Sequence, residues 1–106
     1  MATLEVLNGP EVGQKTELTQ DVFFIGRDPN NHLALSDRTV SRKHAVINQI
    51  EGKFVLSDLE SLKGVLVNGE KTGEATLEHG DEIAIGAVRL RFRGESKKTA
   101  MPFLKK

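Results

Sequence analysis

Three short stretches carry side chains that a plain β-protein does not need for packing. Gly26-Arg27 follows an apolar run. The glycine frees the backbone, and the arginine projects a planar, permanently charged fork that matches phosphate oxygens two at a time. Ser41-Arg42-Lys43-His44 sets a hydroxyl, a guanidinium and an ammonium in succession, a combination suited to charge-assisted hydrogen bonds on one anion. Asp58-Leu59-Glu60-Ser61-Leu62-Lys63-Gly64 runs into Val65-Leu66-Val67 and then Asn68-Gly69. The chemistry these residues suggest is capture of an anion rather than bond making.

Other chemistries use some of the same residue types, and each lacks a part here. A hydrolase would need Ser41 as nucleophile, His44 as base and Asp58 as orienter. No Gly-x-Ser-x-Gly elbow is present, and Ser41 and His44 belong to one loop. No enzymatic activity is expected. His32, His44 and His79 have no ligand spacing, and the chain has no cysteine, so neither a metal site nor a cofactor is expected. Nucleic acid would be drawn to Arg38, Arg42, Lys43, Lys63 and the basic tail. Tyr and Trp are absent as stacking platforms, and 15 basic residues balance 15 acidic ones. The charge is nevertheless uneven. Arg27, Arg38, Arg42 and Lys43 face only Asp28 and Asp37 between positions 26 and 44, and positions 70–82 hold five acids and Lys71 alone.

The elements that would position these groups read as strands. Thr3-Leu4-Glu5-Val6-Leu7 alternates and stops at Asn8-Gly9-Pro10. Gln14 to Gln20 alternates more weakly and breaks at Asp21. Val22-Phe23-Phe24-Ile25 is a continuous apolar run, expected to be a buried strand. Two runs, 45–50 and 53–57, flank Glu51-Gly52 as a hairpin. Val65-Leu66-Val67 ends at Asn68-Gly69, and two runs, 82–85 and 88–92, flank Gly86-Ala87. In the last of these Val88, Leu90 and Phe92 share one face and Arg89, Arg91 and Arg93 the other. No stretch has a helical apolar period. Many short strands among ten glycines predict an all-β sandwich.

The 106 residues, 38% hydrophobic and 28% charged, suffice for one domain with its own core. Residues 1–93 are expected to form it, and 94–106, polar, basic and unpatterned, to form a flexible tail or the start of a linker. No apolar run approaches the roughly 20 residues of a membrane span, and no signal peptide is expected from Met-Ala-Thr-Leu-Glu. Without cysteine the composition suits a reducing cytoplasm.

From about Leu4 to Phe92 the sequence resembles the forkhead-associated (FHA) family. The resemblance rests on Gly26-Arg27, on Ser41 to His44, on Ser61-Leu62-Lys63-Gly64 and on Asn68-Gly69. It rests further on Leu77-Glu78-His79-Gly80-Asp81-Glu82-Ile83 and on Ile85-Gly86, in that order. It implies a sandwich of two mostly antiparallel sheets with about 10–11 short strands, and a module that binds a threonine-phosphorylated partner protein in kinase-dependent signalling. A monomer with no nucleic-acid or membrane ligand is expected. By resemblance Arg27 and Ser41 hold the phosphate and Arg42 adds a contact. Thr39 with Val40, Leu62 with Lys63, and the Pro29–His32 loop set sequence preference. His44 braces the recognition loop, Gly26 and Gly64 belong to the motif backbone, and Asn68-Gly69 is a turn supporting the binding loops. The departure is Lys63, where the family has an asparagine that bridges to the peptide main chain. Lysine has donors only. A phosphate-independent FHA assembly domain is therefore the alternative reading.

Overall fold

Alternation decides which side chains face inward. The computed structural model describes residues 2–94, and within them lie eleven short strands and no helix. The tail expected over 94–106 lies, apart from Gly94, outside the described residues. One sheet has the order β2 (Lys15–Glu17), β1 (Thr3–Val6), β11 (Val88–Arg93), β10 (Glu82–Ile85), β7 (Val65–Val67), β8 (Glu70–Thr72). The other has the order β4 (Leu33–Ala34), β3 (Val22–Gly26), β5 (Ala45–Ile50), β6 (Lys53–Asp58), β9 (Glu74–Thr76). Every pairing is antiparallel except β3 with β4. The expected two-sheet, mostly antiparallel architecture is the one observed.

The core lies between the sheets. Leu4, Val6, Ile83, Ile85, Val88, Leu90 and Phe92 point in from one side, and Phe23, Ile25, Ala45, Ile47 and Leu56 from the other. Each large apolar side chain so buried contributes roughly 1.5–3 kcal/mol. The run 22–25 differs from its sequence reading. Val22 is exposed and Phe24 half-buried, so only Phe23 and Ile25 enter the core. Phe24 instead lies on the outer face, where Lys43 Nζ sits 5.4 Å from its ring centroid. The Gln14–Gln20 stretch likewise contracts to three paired residues.

Two-residue turns close the hairpins. Glu51-Gly52 and Asn68-Gly69 both have positive φ, the geometry that matches strand twist across so short a connection. The sandwich therefore has two distinct ends. One gathers the loops after β3, before β5, between β6 and β7, and the β10–β11 turn. The other holds both ends of the described chain, since Thr3 pairs with Arg93. That far end opens into a hollow of about 750 Å³ lined by Ala2, Leu18, Phe54, Leu77, Phe92 and Gly94 among others.

Candidate functional site

At the first end, backbone contact between two loops comes before any side chain. Arg27 N–H donates to Ser41 O at 3.0 Å and Asp28 N–H to Arg42 O at 3.3 Å. A Cβ on Gly26 would stand 2.1 Å from Arg42 O. Gly26 is thus required for close approach, and its φ is not in the left-handed region, which corrects the reading of backbone freedom. Asn31 secures the same carbonyl, its Nδ2 donating to Arg42 O at 2.7 Å and to Asp28 O at 2.9 Å.

The 35–41 loop is pinned along its length. Leu35 and Val40 are buried, and Ser36 Oγ donates to Glu11 at 2.8 Å. The Thr39 hydroxyl donates to Asp37 and accepts from Ala87 N–H at 2.7 Å. These two Thr39 donors, hydroxyl first and then amide, hold the Asp37 carboxyl below its ordinary pKa, with a smaller contribution from the Arg38 charge. The fixed loop in turn orients Arg27, whose Nε donates to Val40 O at 2.9 Å. Its two terminal nitrogens make no hydrogen bond among the described residues.

His44 is fully buried and joins this loop to the next. Its Nδ1 accepts from Ser41 N–H at 3.0 Å, and its Nε2 lies 2.8 Å from Gly64 O. Those partners require the neutral ring with the proton on Nε2. The 58–64 loop closes on itself: Ser61 Oγ donates to Asp58 at 2.6 Å and accepts from Gly64 N–H at 2.8 Å. Leu62 N–H then crosses to Ser41 Oγ at 3.1 Å. With one lone pair occupied in this way, the Ser41 hydroxyl keeps its proton to donate outward. Ser41 Oγ and the His44 ring are not paired with each other, and Asp58 serves Ser61, so the geometry is not that of a triad.

These loops surround a hollow of about 180 Å³ lined by Arg27, Arg38, Thr39, Val40, Ser41, Leu62 and Lys63. Five of the six residues expected to bind peptide come together here. Arg42 does not line the hollow. It is exposed, and its carbonyl rather than its side chain is tied into the site. Arg38 lines it instead, a residue with no sequence signal beyond its charge. The Pro29–His32 loop does not reach it either. His32 stacks on Phe23 with centroids 5.2 Å apart and accepts from Phe24 N–H at 2.9 Å, capping the edge of β3. Asn68-Gly69 lies at the opposite end of β7 from Gly64. There Asn68 bonds Asp81 at 2.9 Å and Glu82 N–H at 3.0 Å. It braces the β7–β10 junction and not the binding loops.

With this arrangement established, comparison with known proteins is specific. The chain is 31% identical to a solved FHA domain studied for phosphothreonine-dependent interactions, with a TM-score of 0.83 over 89% of this chain and 96% of that one. The chain belongs to the FHA family. Residues 5–96 match the family model described as the inner membrane component of the type III secretion system, cytoplasmic domain, which is FHA-like. The FHA domain is also 40% identical over 96 residues to an oxoglutarate dehydrogenase inhibitor of Corynebacterium jeikeium, covering 91% of this chain and 67% of that protein. It is 42% identical over 91 residues to the glycogen accumulation regulator GarA of Mycolicibacterium smegmatis, covering 86% of this chain and 58% of that protein. The chain thus spans little more than half to two thirds of these relatives. Within the FHA frame the Gly-Arg pair, the Ser-x-x-His segment and the 58–64 loop are the three elements that meet at the hollow.

Proposed function

We propose that this FHA domain binds a threonine-phosphorylated segment of a partner protein and acts as a non-catalytic interaction module in kinase-dependent signalling in the cytoplasm, as a monomer without cofactor. The observation that carries this reading is the pairing of Arg27 and Ser41 across the hollow. Arg27 is aimed by its Nε bond to Val40 O, and Ser41 Oγ is oriented by Leu62 N–H, which leaves one fork and one hydroxyl proton unspent. A phosphothreonine brings about −1.5 to −2 charges and three acceptor oxygens. Donors held by a pinned loop lose little freedom on binding, so little of their contact energy is cancelled. Val40 gives the hollow an apolar floor against which a threonine methyl can rest. That methyl favours phosphothreonine over phosphoserine by about 10–200-fold. The phosphothreonine-dependent interactions of the similar FHA domain support the same reading.

One observation favours a second reading. Leu62 is 87% exposed beside Lys63, as a phosphate-independent docking contact would require. Titration with a peptide library in phosphorylated and unphosphorylated forms separates the two. Binding confined to phosphothreonine members is the expected result, and equal binding of both forms would establish the assembly surface instead.

A further inference from the structure

The hollow is lined by more cations than the Arg27 and Ser41 pair that suits one phosphate. Arg27, Arg38 and Lys63 all line it, and no carboxylate does. None of the three forms a salt bridge among the described residues. Asp37, the acid nearest Arg38 in sequence, bonds the Thr39 amide and hydroxyl and keeps its negative charge nearby, but forms no ion pair with Arg38 among the described residues. Beyond Arg27, which faces the phosphate, Arg38 and Lys63 are thus two cations at the hollow with no ion-pair partner among the described residues.

The excess also has a location. Arg27 and Ser41 form the pair suited to the phosphate. Arg38 stands on the 35–41 loop and Lys63 on the 58–64 loop, and the Leu62 N–H to Ser41 Oγ bond holds those loops at one rim. Arg38 lies outside the motif that identifies the family, and Lys63 stands at a motif position where the family has a neutral asparagine. An extended ligand advances about 3.3 Å per residue, so side chains one to three positions from the phosphothreonine lie within reach of a long basic side chain.

We propose that Arg38 and Lys63 form a second anion subsite, so that the domain selects a phosphothreonine accompanied, within three positions, by another anionic group. The group is an aspartate or glutamate, or a second phosphorylated residue. This inference rests on the phosphothreonine reading above. Leu62, exposed on the 58–64 loop beside Lys63, supplies an apolar contact for the intervening residue. The asparagine's grip on the peptide main chain is thereby replaced by a grip on ligand charge.

The test is titration of the domain with four synthetic peptides of one core sequence. They carry phosphothreonine with neutral flanks, phosphothreonine with acidic flanks, phosphothreonine with a nearby phosphoserine, and unphosphorylated threonine with acidic flanks. Two partly exposed charge pairs together predict roughly tenfold tighter binding of the acid-flanked phosphopeptide than the neutral one. The second phosphate, with more acceptors, should exceed that. Arg38→Gln and Lys63→Gln should each shrink the ratio between acid-flanked and neutral phosphopeptides, and the double variant should bring it near one. A ratio near one in the parent, a ratio unchanged by both substitutions, or an equal preference when the acids are moved eight residues away would overturn the subsite. Failure of every phosphopeptide, or equal binding of the unphosphorylated acidic one, would overturn the phosphothreonine reading and the subsite with it. The first three outcomes leave the phosphothreonine reading standing.

Discussion

Arg27 is exposed yet aimed, because its Nε is bonded to a carbonyl that the buried Val40 side chain holds in place. Arg27→Ala should leave the fold intact while removing a charge-assisted contact worth roughly 1.5–3 kcal/mol, so phosphopeptide affinity should fall about 10–100-fold by titration. His44 plays the complementary role. His44→Ala would strand both Ser41 N–H and Gly64 O in a buried place, at roughly 1–3 kcal/mol for each unsatisfied group. A clearly lowered denaturation midpoint, with phosphopeptide binding lost as well, is expected because both recognition loops meet at that ring. Asp37 adds a pH dependence whose sign follows from its lowered carboxyl pKa. Its contribution is present above the ordinary carboxylate value of about 3.9 and is lost as pH falls through the lowered one. Below about pH 4, amide signals of residues 37–39 should shift and exchange faster. Because the carboxylate is solvated, the change should stay local.

At the scale of elements, the strands that alternate are legible and the ones that do not are hidden. Leu4 and Val6, Ile83 and Ile85, and Val88, Leu90 and Phe92 announce β1, β10 and β11 because each has one wet face and one dry face. β4, β8 and β9 carry no such signal. They are edge strands of two or three residues, and Glu70-Lys71-Thr72 and Glu74-Ala75-Thr76 are paired by their neighbours' backbone rather than by apolar pattern. The candidate site was legible to the extent that its motif residues have fixed order. Arg38 and Asn31 were not, since nothing in a polar loop shows which charge turns inward or which amide takes a carbonyl. Asn68 shows how a motif position can be recognised while its location is misjudged. Asn68→Ala removes two hydrogen bonds and leaves alanine at a φ of +53°. Stability should fall by roughly 1–3 kcal/mol in denaturant unfolding, while phosphopeptide affinity stays within about twofold because the site is at the other end of β7. Parallel losses of binding and stability at native temperature would reconnect that turn to the recognition loops.

For the whole molecule, the inward-facing apolar set among the described residues runs to Phe92, and β11 is paired on both edges by β1 and β10. A chain ending at Gly94 should therefore keep the strand-type far-UV spectrum and a thermal midpoint within a few degrees of the parent. A large drop would show that residues 95–106 contribute to the fold, against the 1–93 domain boundary proposed from sequence. Charge follows the same division into ends. The balance of 15 acids against 15 bases conceals a cationic hollow at one end, so attraction of an anionic segment is a property of the loops and not of the net charge. Such attraction is screened over about 10 Å at 0.1 M salt.

Thr3 pairs with Arg93 at the end of the sandwich remote from the recognition loops, and this fixes how the module can be tethered. A polypeptide joined before Ala2 or after Gly94 leaves from the same place, about 20 Å from the hollow along the six residues of β11. The domain can hang from a leash at either end, or be spliced into a loop of another protein by both, with its phosphate-facing rim unobstructed. A fluorophore or an affinity handle attached at Ala2 or Gly94 would sit at the end of the sandwich remote from the hollow.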